Sequence, residues 1–174
     1  MINSTVNIKS FRNLVSLNKK RLRGFLTRVE KKAPRNLHLV TLKANKLSWA
    51  KTDCTDCANC CKTMSPTYTQ RDIIRISKYL GMTVRGFKEK WLFKDRQGDW
   101  LNKSQPCQFL DLKTNLCGIY DVRPGDCVGF PHHGTKKIKD YGHVYKQNVE
   151  FCPATYRLVE FMEEGISDGK WALK

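Results

Sequence analysis

The 174-residue sequence predicts an α+β fold, a small and mostly helical domain with a short β-hairpin. Apolar residues recur at helical spacing in several stretches, and capping motifs open two of them. A polar turn lies between two short apolar runs, which is typical of a hairpin. Hydrophobic residues make up 40% of the chain, which is enough for one modest core in a domain of this length.

Two helices are predicted before the first cysteine. The first covers residues 10–32, and Pro34 ends it because proline cannot occupy a helix interior. The second covers residues 36–50 and leads directly into a cysteine-rich run. The apolar positions of the two helices are Phe11, Leu14, Val15, Leu22, Phe25, Leu26, Val29, Leu37, Val40, Leu47 and Trp49.

Capping signals predict the next two helices. In "TQRDIIRISKYLGM", Thr69 and Asp72 form a capping box, and Gly81 suits the C-terminal end of the helix. Thr83 caps a further helix, in which Phe87 and Trp91 lie one turn apart.

The later elements are a hairpin and a final helix. The hairpin is predicted to pair "CQFLDL" with "LCGIY" around the turn "DLKTN", and "GDWLNKS" is a further strand candidate. The final helix is predicted from about Ala154 to Glu164, with its apolar residues facing inward.

The net charge of +16 is unevenly distributed along the chain. Thirteen lysine and arginine residues but only two acidic residues precede Cys54. We therefore predict a basic helical N-terminal extension over residues 1–50, a cysteine-cluster metal-binding domain over 51–165 and a C-terminal tail over 166–174. Such an extension would attract nucleic acid or an acidic protein, although the same charge also suits a solvated helical surface without a dedicated partner.

The sequence lacks two targeting signals, and this predicts the cellular compartment of the protein and the redox state of its cysteines. No stretch approaches the roughly 18 apolar residues of a membrane span, and the N-terminal residues lack the apolar run of a secretory signal. We therefore predict no membrane span and a cytoplasmic location. Because the cytosol is reducing, the eight cysteines are expected to act as metal ligands or redox thiols rather than as disulfides.

The run "TDCTDCANCCKT" places four cysteines within eight positions, with gaps that suit metal ligation or thiol redox exchange. The other four cysteines lie where the chain is expected to turn, so that their sulfur atoms can reach a common centre. A thiolate-rich site selects zinc or an iron–sulfur cluster, including the 4Fe–4S type, over hard cations. The predicted metal ligands are Cys54, Cys57, Cys60, Cys61, Cys107, Cys117, Cys127 and Cys152.

The order of the cysteine blocks resembles a known family. The segments "CTDCANCCK", "PCQFLD", "CGIYDVRPGDCVGFP" and "CPA" together resemble the CxxCxxCC family of zinc- or iron-chelating domains over roughly residues 50–165. A related cysteine cluster occurs in flagellin lysine-N-methylase. The resemblance implies metal binding through the cysteines, with His132 and His133 as second-choice ligands.

We therefore predict a metal-binding protein that holds zinc or an iron–sulfur cluster through its cysteines. The methylase resemblance makes an iron–sulfur redox or methyl-transfer enzyme the alternative, and the basic extension makes an RNA- or ribosome-associated protein with a structural metal the second alternative. No acid pair or Ser–His–Asp arrangement accompanies the cysteines, so the sequence favours a protein that is not an enzyme and assigns no catalytic residue. The sequence leaves open the choice of metal, the number of sites, and which of Cys60 and Cys61 is a ligand.

Overall fold

The computed structural model describes residues 6–133 and 137–167. The predicted tail over 166–174 lies outside these residues from position 168 onward. The elements in chain order are α1 (Ile8–Lys31), α2 (Leu37–Trp49), α3 (Cys54–Cys57), α4 (Asn59–Thr63), α5 (Gln70–Tyr79), α6 (Val84–Trp91), β1 (Leu92–Lys94), β2 (Trp100–Asn102), a 3₁₀ turn (Tyr120–Val122), α7 (Gly125–Gly129), α8 (Ile138–Phe151) and α9 (Pro153–Ser167).

The chain divides into two compact units, and each has its own apolar core. The first unit takes the described residues of Met1–Cys57 and Pro131–Lys174, and the second is Ala58–Phe130. Consequently α1, α2, α3, α8 and α9 belong to the first unit, and the remaining elements belong to the second.

The first unit is a bundle of the long helices. Helix α1 packs against α8 and α9, and α2 packs against α9. The inward positions of α1 repeat every three or four residues, as the sequence predicted, because that spacing keeps them on one face of a helix. The fully buried core residues of the unit are Leu22, Leu26, Val40, Ala44, Val149, Leu158, Val159 and Met162.

Ion pairs connect the basic face of α1 to its neighbours. Glu150 of α8 pairs with both Lys19 and Arg23, and Arg21 pairs with Glu163 of α9. Exposed pairs of this kind contribute about 0.2–1 kcal/mol each. Residues of the predicted N-terminal extension therefore supply helices, core residues and paired charges to the first unit.

Capping residues set the helix boundaries in the second unit. The Thr69 hydroxyl accepts from the backbone N–H of Asp72, and the Asp72 carboxylate accepts from the backbone N–H of Thr69, which confirms the predicted capping box. Gly81 follows α5 with a positive φ of 63°. Thr83 accepts from the backbone N–H of Gly86 and caps α6 as predicted.

A two-stranded antiparallel sheet completes the second unit. Strands β1 and β2 pair with Leu92 opposite Asn102, and Tyr68 forms an isolated bridge with Trp100. The core of the unit is formed by Tyr68, Ile73, Ile76, Phe87, Leu92 and Ile119. The helices and the single small sheet confirm the predicted fold class within the described residues.

The predicted position of the hairpin is wrong. The two-stranded sheet pairs residues 92–94 with 100–102, whereas the predicted partners meet only in an isolated bridge between Leu110 and Cys117. The Asp111 side chain accepts from the backbone N–H groups of Lys113 and Thr114 and holds a tight turn. Because the chain enters the 3₁₀ turn soon after Cys117, no second pair of residues extends the bridge into a ladder.

Helix α8 had no counterpart in the sequence prediction. Gly142 and several polar residues interrupt its apolar pattern, and the backbone at Tyr141 departs from helical angles. Across the described residues, no helix combines the length and the apolar character needed to cross a membrane.

Candidate metal centre

The two units share the cysteines unequally. Among the described residues, which include all eight cysteines, none forms a disulfide. Three cysteines lie in the first unit, Cys54, Cys57 and Cys152. Five lie in the second unit, Cys60, Cys61, Cys107, Cys117 and Cys127.

A break in the cysteine run divides it between two short helices. Helix α3 ends at Cys57, and Ala58 has a left-handed backbone with φ 45° before α4 begins at Asn59. Left-handed angles are unusual for a residue with a Cβ atom, so the break is a specific feature of this segment. Helix α4 carries Cys60 and Cys61, whose sulfur atoms lie 3.9 Å apart.

Backbone hydrogen bonds bring the later cysteines of the second unit to fixed positions. The backbone N–H of Cys107 donates to the carbonyl of Cys61 at 2.8 Å, which joins the residue-107 loop to α4. Cys117 lies on the opposite side of the Asp111 turn and bridges to Leu110. The first contact joins segments 46 positions apart in the sequence, whereas the second is local.

Asp72 holds the segment that carries Cys127. Its carboxylate accepts from the backbone N–H of Gly125 at 3.1 Å and from the Arg75 guanidinium at 2.7 Å. Arg75 also donates to the Arg123 carbonyl at 2.9 Å. The N-terminus of α5 therefore positions the loop that leads into α7, on which Cys127 lies.

Four thiols of the second unit interact electrostatically with one another. Cys61, Cys107, Cys117 and Cys127 are hereafter the four-thiol cluster, and every pair among them is close enough for the charge on one sulfur to disfavour charge on the other. Burial raises the pKa of Cys107, Cys117 and Cys127, and the negative charge of Cys61 adds to that effect.

Cys61 differs from the other three members. A hydrogen bond from the Cys60 thiol lowers the pKa of Cys61 to about 7, and the charge of Lys62 acts in the same direction against the effect of burial. Cys61 is therefore substantially ionised at neutral pH and is the member best prepared to bind a cation.

Arg123 lies beside the cluster. Its guanidinium stacks over the Tyr120 ring at 3.7 Å and donates to the Tyr120 carbonyl. Its positive charge favours the thiolate form of Cys117, against the larger opposing effect of burial on that pKa. Arg123 is therefore placed where its charge offsets part of the negative charge of a Cys117 thiolate.

The four-thiol cluster is bordered by Tyr68 and Asn102, which the sequence did not single out. The Tyr68 hydroxyl donates to Asn102 Oδ1 at 2.6 Å, and Gln108 Nε2 donates to the same oxygen at 3.0 Å. Burial raises the pKa of Tyr68, and the charges of Cys107, Cys127 and Cys117 raise it further. Tyr68 therefore stays neutral beside the thiols and remains a hydrogen-bond donor.

Asn102 directs an amide group toward the cluster. It is 4% exposed, and its side chain lies close enough to Cys107 to favour the thiolate form of that residue. Within the described residues, its buried Nδ2 has no hydrogen-bond acceptor of regular geometry. An unsatisfied buried donor beside a cysteine suits a sulfur atom that carries negative charge, as a metal-bound thiolate does.

The cysteines of the first unit lie in α3 and immediately before α9. Cys54 and Cys57 lie one turn apart in α3, and Cys57 is within electrostatic range of Cys152. Burial raises the pKa of Cys152, while hydrogen bonds from the Thr155 hydroxyl and from the backbone N–H groups of Ala154 and Thr155 favour its thiolate. Cys152 thus has three donors arranged around its sulfur.

A chain of buried polar residues continues behind Cys152. The Thr155 hydroxyl donates to Cys152, so its oxygen accepts from His133 Nε2–H at 2.9 Å. The neutral ring then accepts at Nδ1 from the NH₂ group of the Asn45 side-chain amide, which lies 3.1 Å away. Burial lowers the pKa of His133 to about 4, so the ring is neutral at neutral pH. Because both ring nitrogens have protein partners, His133 acts as a support for Thr155 in this arrangement.

The donor set fits zinc or iron chemically, since both metals bind thiolate sulfur. As placed, however, the described residues contain no group of three or more His, Cys, Asp or Glu side chains that could hold a metal ion. Ligation would therefore require the cysteine side chains to turn toward a common point. Metal binding would consequently be coupled to local ordering of these side chains.

Comparison with known proteins finds a family match. The model of the CxxCxxCC family, described as a "putative zinc- or iron-chelating domain", matches residues 53–153, a span that includes all eight cysteines. The chain is also similar to the uncharacterized protein MJ0661 of Methanocaldococcus jannaschii, with 34% identity over 76 residues. These residues are 42% of this chain and 41% of that protein, so the match spans about two fifths of the relative's length. No solved structure matches the chain.

Proposed function

Because the chain belongs to the CxxCxxCC family, whose domain is described as zinc- or iron-chelating, we propose that it binds zinc or iron through cysteine thiolates. The observation that carries this proposal is the four-thiol cluster, in which every thiol is within electrostatic range of the other three. Four sulfur ligands are the number that a structural zinc ion or a 4Fe–4S cluster takes.

The residues around the cluster would assist ligation in distinct ways. Cys61 would supply a thiolate at neutral pH, whereas the half-buried thiols of Cys107 and Cys127 would have to release protons when metal binds. Asn102 would donate a hydrogen bond to the bound sulfur of Cys107. The bound ion would supply the positive charge that makes four neighbouring thiolates compatible in one buried region.

The charge distribution gives weaker support for nucleic-acid binding. Lys19, Arg21, Arg23 and Arg28 of α1 all pair with glutamates of the same unit. Their charge therefore has a role within the fold and does not require an anionic partner.

The test is anaerobic purification followed by elemental analysis, sulfide analysis and a visible spectrum. Zinc without colour would identify a mononuclear thiolate site. Iron with sulfide and an absorption band near about 400 nm would identify an iron–sulfur cluster. Neither metal at a stoichiometric level, in a protein that also fails to take up zinc or iron when supplied, would contradict the proposal.

A further inference from the structure

We infer that the chain holds two metal centres, one formed by the four-thiol cluster of the second unit and one by Cys54, Cys57 and Cys152 of the first unit. This inference rests on the proposed function and specifies how its ligands are divided. Each set of cysteines lies within a single compact unit and is placed by the elements of that unit.

The first-unit site has a prepared position for one sulfur. Cys152 is 5% exposed and immediately precedes α9, where the backbone N–H groups of Ala154 and Thr155 point toward its side chain. The N-terminus of a helix favours negative charge. These donors favour a thiolate on Cys152, but burial has the larger effect and raises its pKa, so the proton would leave when a metal ion binds.

The side chain of Thr155 adds a third donor, and its position is fixed. Thr155 is fully buried, and its hydroxyl lies 2.9 Å from His133 Nε2. His133 is in turn held by Asn45 and stacks against Tyr145 at a ring distance of 6.0 Å. In metal sites generally, residues outside the ligand set orient the groups that hydrogen-bond to the ligands. His133 would have this role here, because it holds Thr155 beside Cys152.

The remaining two thiols approach from α3. Cys57 is 6% exposed and within electrostatic range of Cys152, whereas Cys54, three positions earlier, lies on the same side of the helix and is exposed. Two side chains one helical turn apart lie on the same face of the helix, so both can bind one metal ion. Three thiols with one of them exposed form a centre that water or an external ligand can reach.

The two centres therefore differ in accessibility. A site with three protein ligands keeps a coordination position for water or an incoming group, whereas four protein ligands close the site. We expect the metal of the first unit to exchange with a chelator, and the metal of the second unit to be retained longer. The first-unit centre is thus the one suited to acquiring or delivering metal.

The test is titration of the metal-free, fully reduced chain with Co²⁺ under anaerobic conditions. Cobalt reports thiolate ligands through charge-transfer bands whose intensity rises with the number of sulfur ligands. The wild type is expected to bind two ions per chain. The double variants Cys57→Ser/Cys152→Ser and Cys107→Ser/Cys127→Ser are each expected to lose one ion, and the first is expected to retain the spectrum of the site with more sulfur ligands.

A milder variant keeps the test informative if the double variants misfold. Thr155→Val removes only the hydroxyl donor and is expected to weaken one of the two cobalt-binding steps about tenfold while leaving the other unchanged. Thr41→Val is the matched control, because Thr41 lies in the same unit and donates to the Leu37 carbonyl within α2. This control is expected to leave both steps unchanged.

Several outcomes would overturn the inference. Binding of one ion per chain, with complete loss in both double variants, would show a single centre. Two ions retained by Cys57→Ser/Cys152→Ser would remove the first-unit site while leaving the proposed function intact. A wild-type chain that binds no ion stoichiometrically would contradict the proposed function itself.

Discussion

The backbone N–H of Cys107 donates to the carbonyl of Cys61 at 2.8 Å, so the main chain joins two cysteines that are 46 positions apart. Their sulfur atoms are close enough for charge on one to disfavour charge on the other. The hydrogen bond fixes the start of the residue-107 loop against α4. It also identifies Cys61, which interacts with Cys107, Cys117 and Cys127, as the member of the adjacent pair that faces the cluster.

The first prediction concerns this adjacent pair. Cys61→Ser is expected to lower the bound metal of the second unit more than Cys60→Ser, because Cys61 interacts with the other three thiols of the cluster. Cys60→Ser keeps a hydroxyl that can donate to the Cys61 sulfur in place of the Cys60 thiol, so it is expected to change the bound metal little. Metal-to-protein ratios of the two variants test this expectation, and equal losses would contradict it.

Asn102→Asp is expected to weaken metal binding by the four-thiol cluster about tenfold or more. The change keeps an oxygen to accept from Tyr68 and Gln108 but replaces the amide donor beside Cys107 with an acceptor of negative charge. Competition with a chromophoric chelator measures the affinity. Asn13→Asp adds the same charge at an exposed position of α1 and should leave the affinity unchanged. An equal effect of both variants would remove the role assigned to Asn102.

Asp72 is expected to couple the stability of the second unit to its metal site. Asp72→Asn should cost about 2 kcal/mol, because the carboxylate caps α5 and accepts from Gly125 and Arg75. It should also weaken metal binding, since Gly125 leads into the segment of Cys127. Thr83→Ala removes the cap of α6 at a cost of about 1 kcal/mol and should leave metal affinity unchanged.

The pH dependence of the Asp72 contribution has a defined sign. Burial raises the pKa of Asp72, but hydrogen bonds from Thr69, Arg75 and Gly125 outweigh it and hold the pKa below its usual value. The stabilisation is therefore present above the unfolded pKa of about 4 and is lost as the pH falls below it. Urea unfolding of wild type and Asp72→Asn should converge in acid; a constant difference would contradict this account.

Protonation of His133 is expected to lower the free energy of unfolding in mild acid, separately from the effect of Asp72. Its pKa is lowered to about 4 by burial, against about 6.5 in the unfolded chain, so protonation favours unfolding. The free energy of unfolding should fall by up to about 3 kcal/mol as the pH decreases from about 6.5 to about 4. His133→Gln should flatten this dependence in urea titrations, whereas His38→Gln, at an exposed histidine, should not.

Local signals in the sequence predicted local structure well. Thr69 and Asp72 are three residues apart, so their capping box is encoded within one turn of helix, and the apolar spacing of α1 depends only on helical geometry. The hairpin was misplaced because strand pairing depends on partners outside the segment. Residues 100–102 pair with 92–94, while the chain after Cys117 enters the 3₁₀ turn and leaves the Leu110–Cys117 bridge without a second pair.

The sequence predicts the chemistry of the candidate site, but it does not predict how the fold arranges the cysteines. Thiol-rich composition and spacing indicate soft-metal ligation without any fold. The division of the cysteines between two units, however, depends on Cys152 preceding a helix that packs with α1 and α2. Asn102 carried no sequence signal, because an asparagine in a short strand has no distinguishing pattern until its neighbour Cys107 is placed by the fold.

The measurement that tests the central claim most directly is X-ray absorption at the metal edge of the anaerobically purified chain. The account predicts zinc or iron with a first coordination shell made mainly of sulfur, at about 2.3 Å for zinc. The sulfur contribution should fall in the Cys107→Ser/Cys127→Ser variant. A first shell made of oxygen and nitrogen, or one unchanged in that variant, would contradict metal binding by the four-thiol cluster.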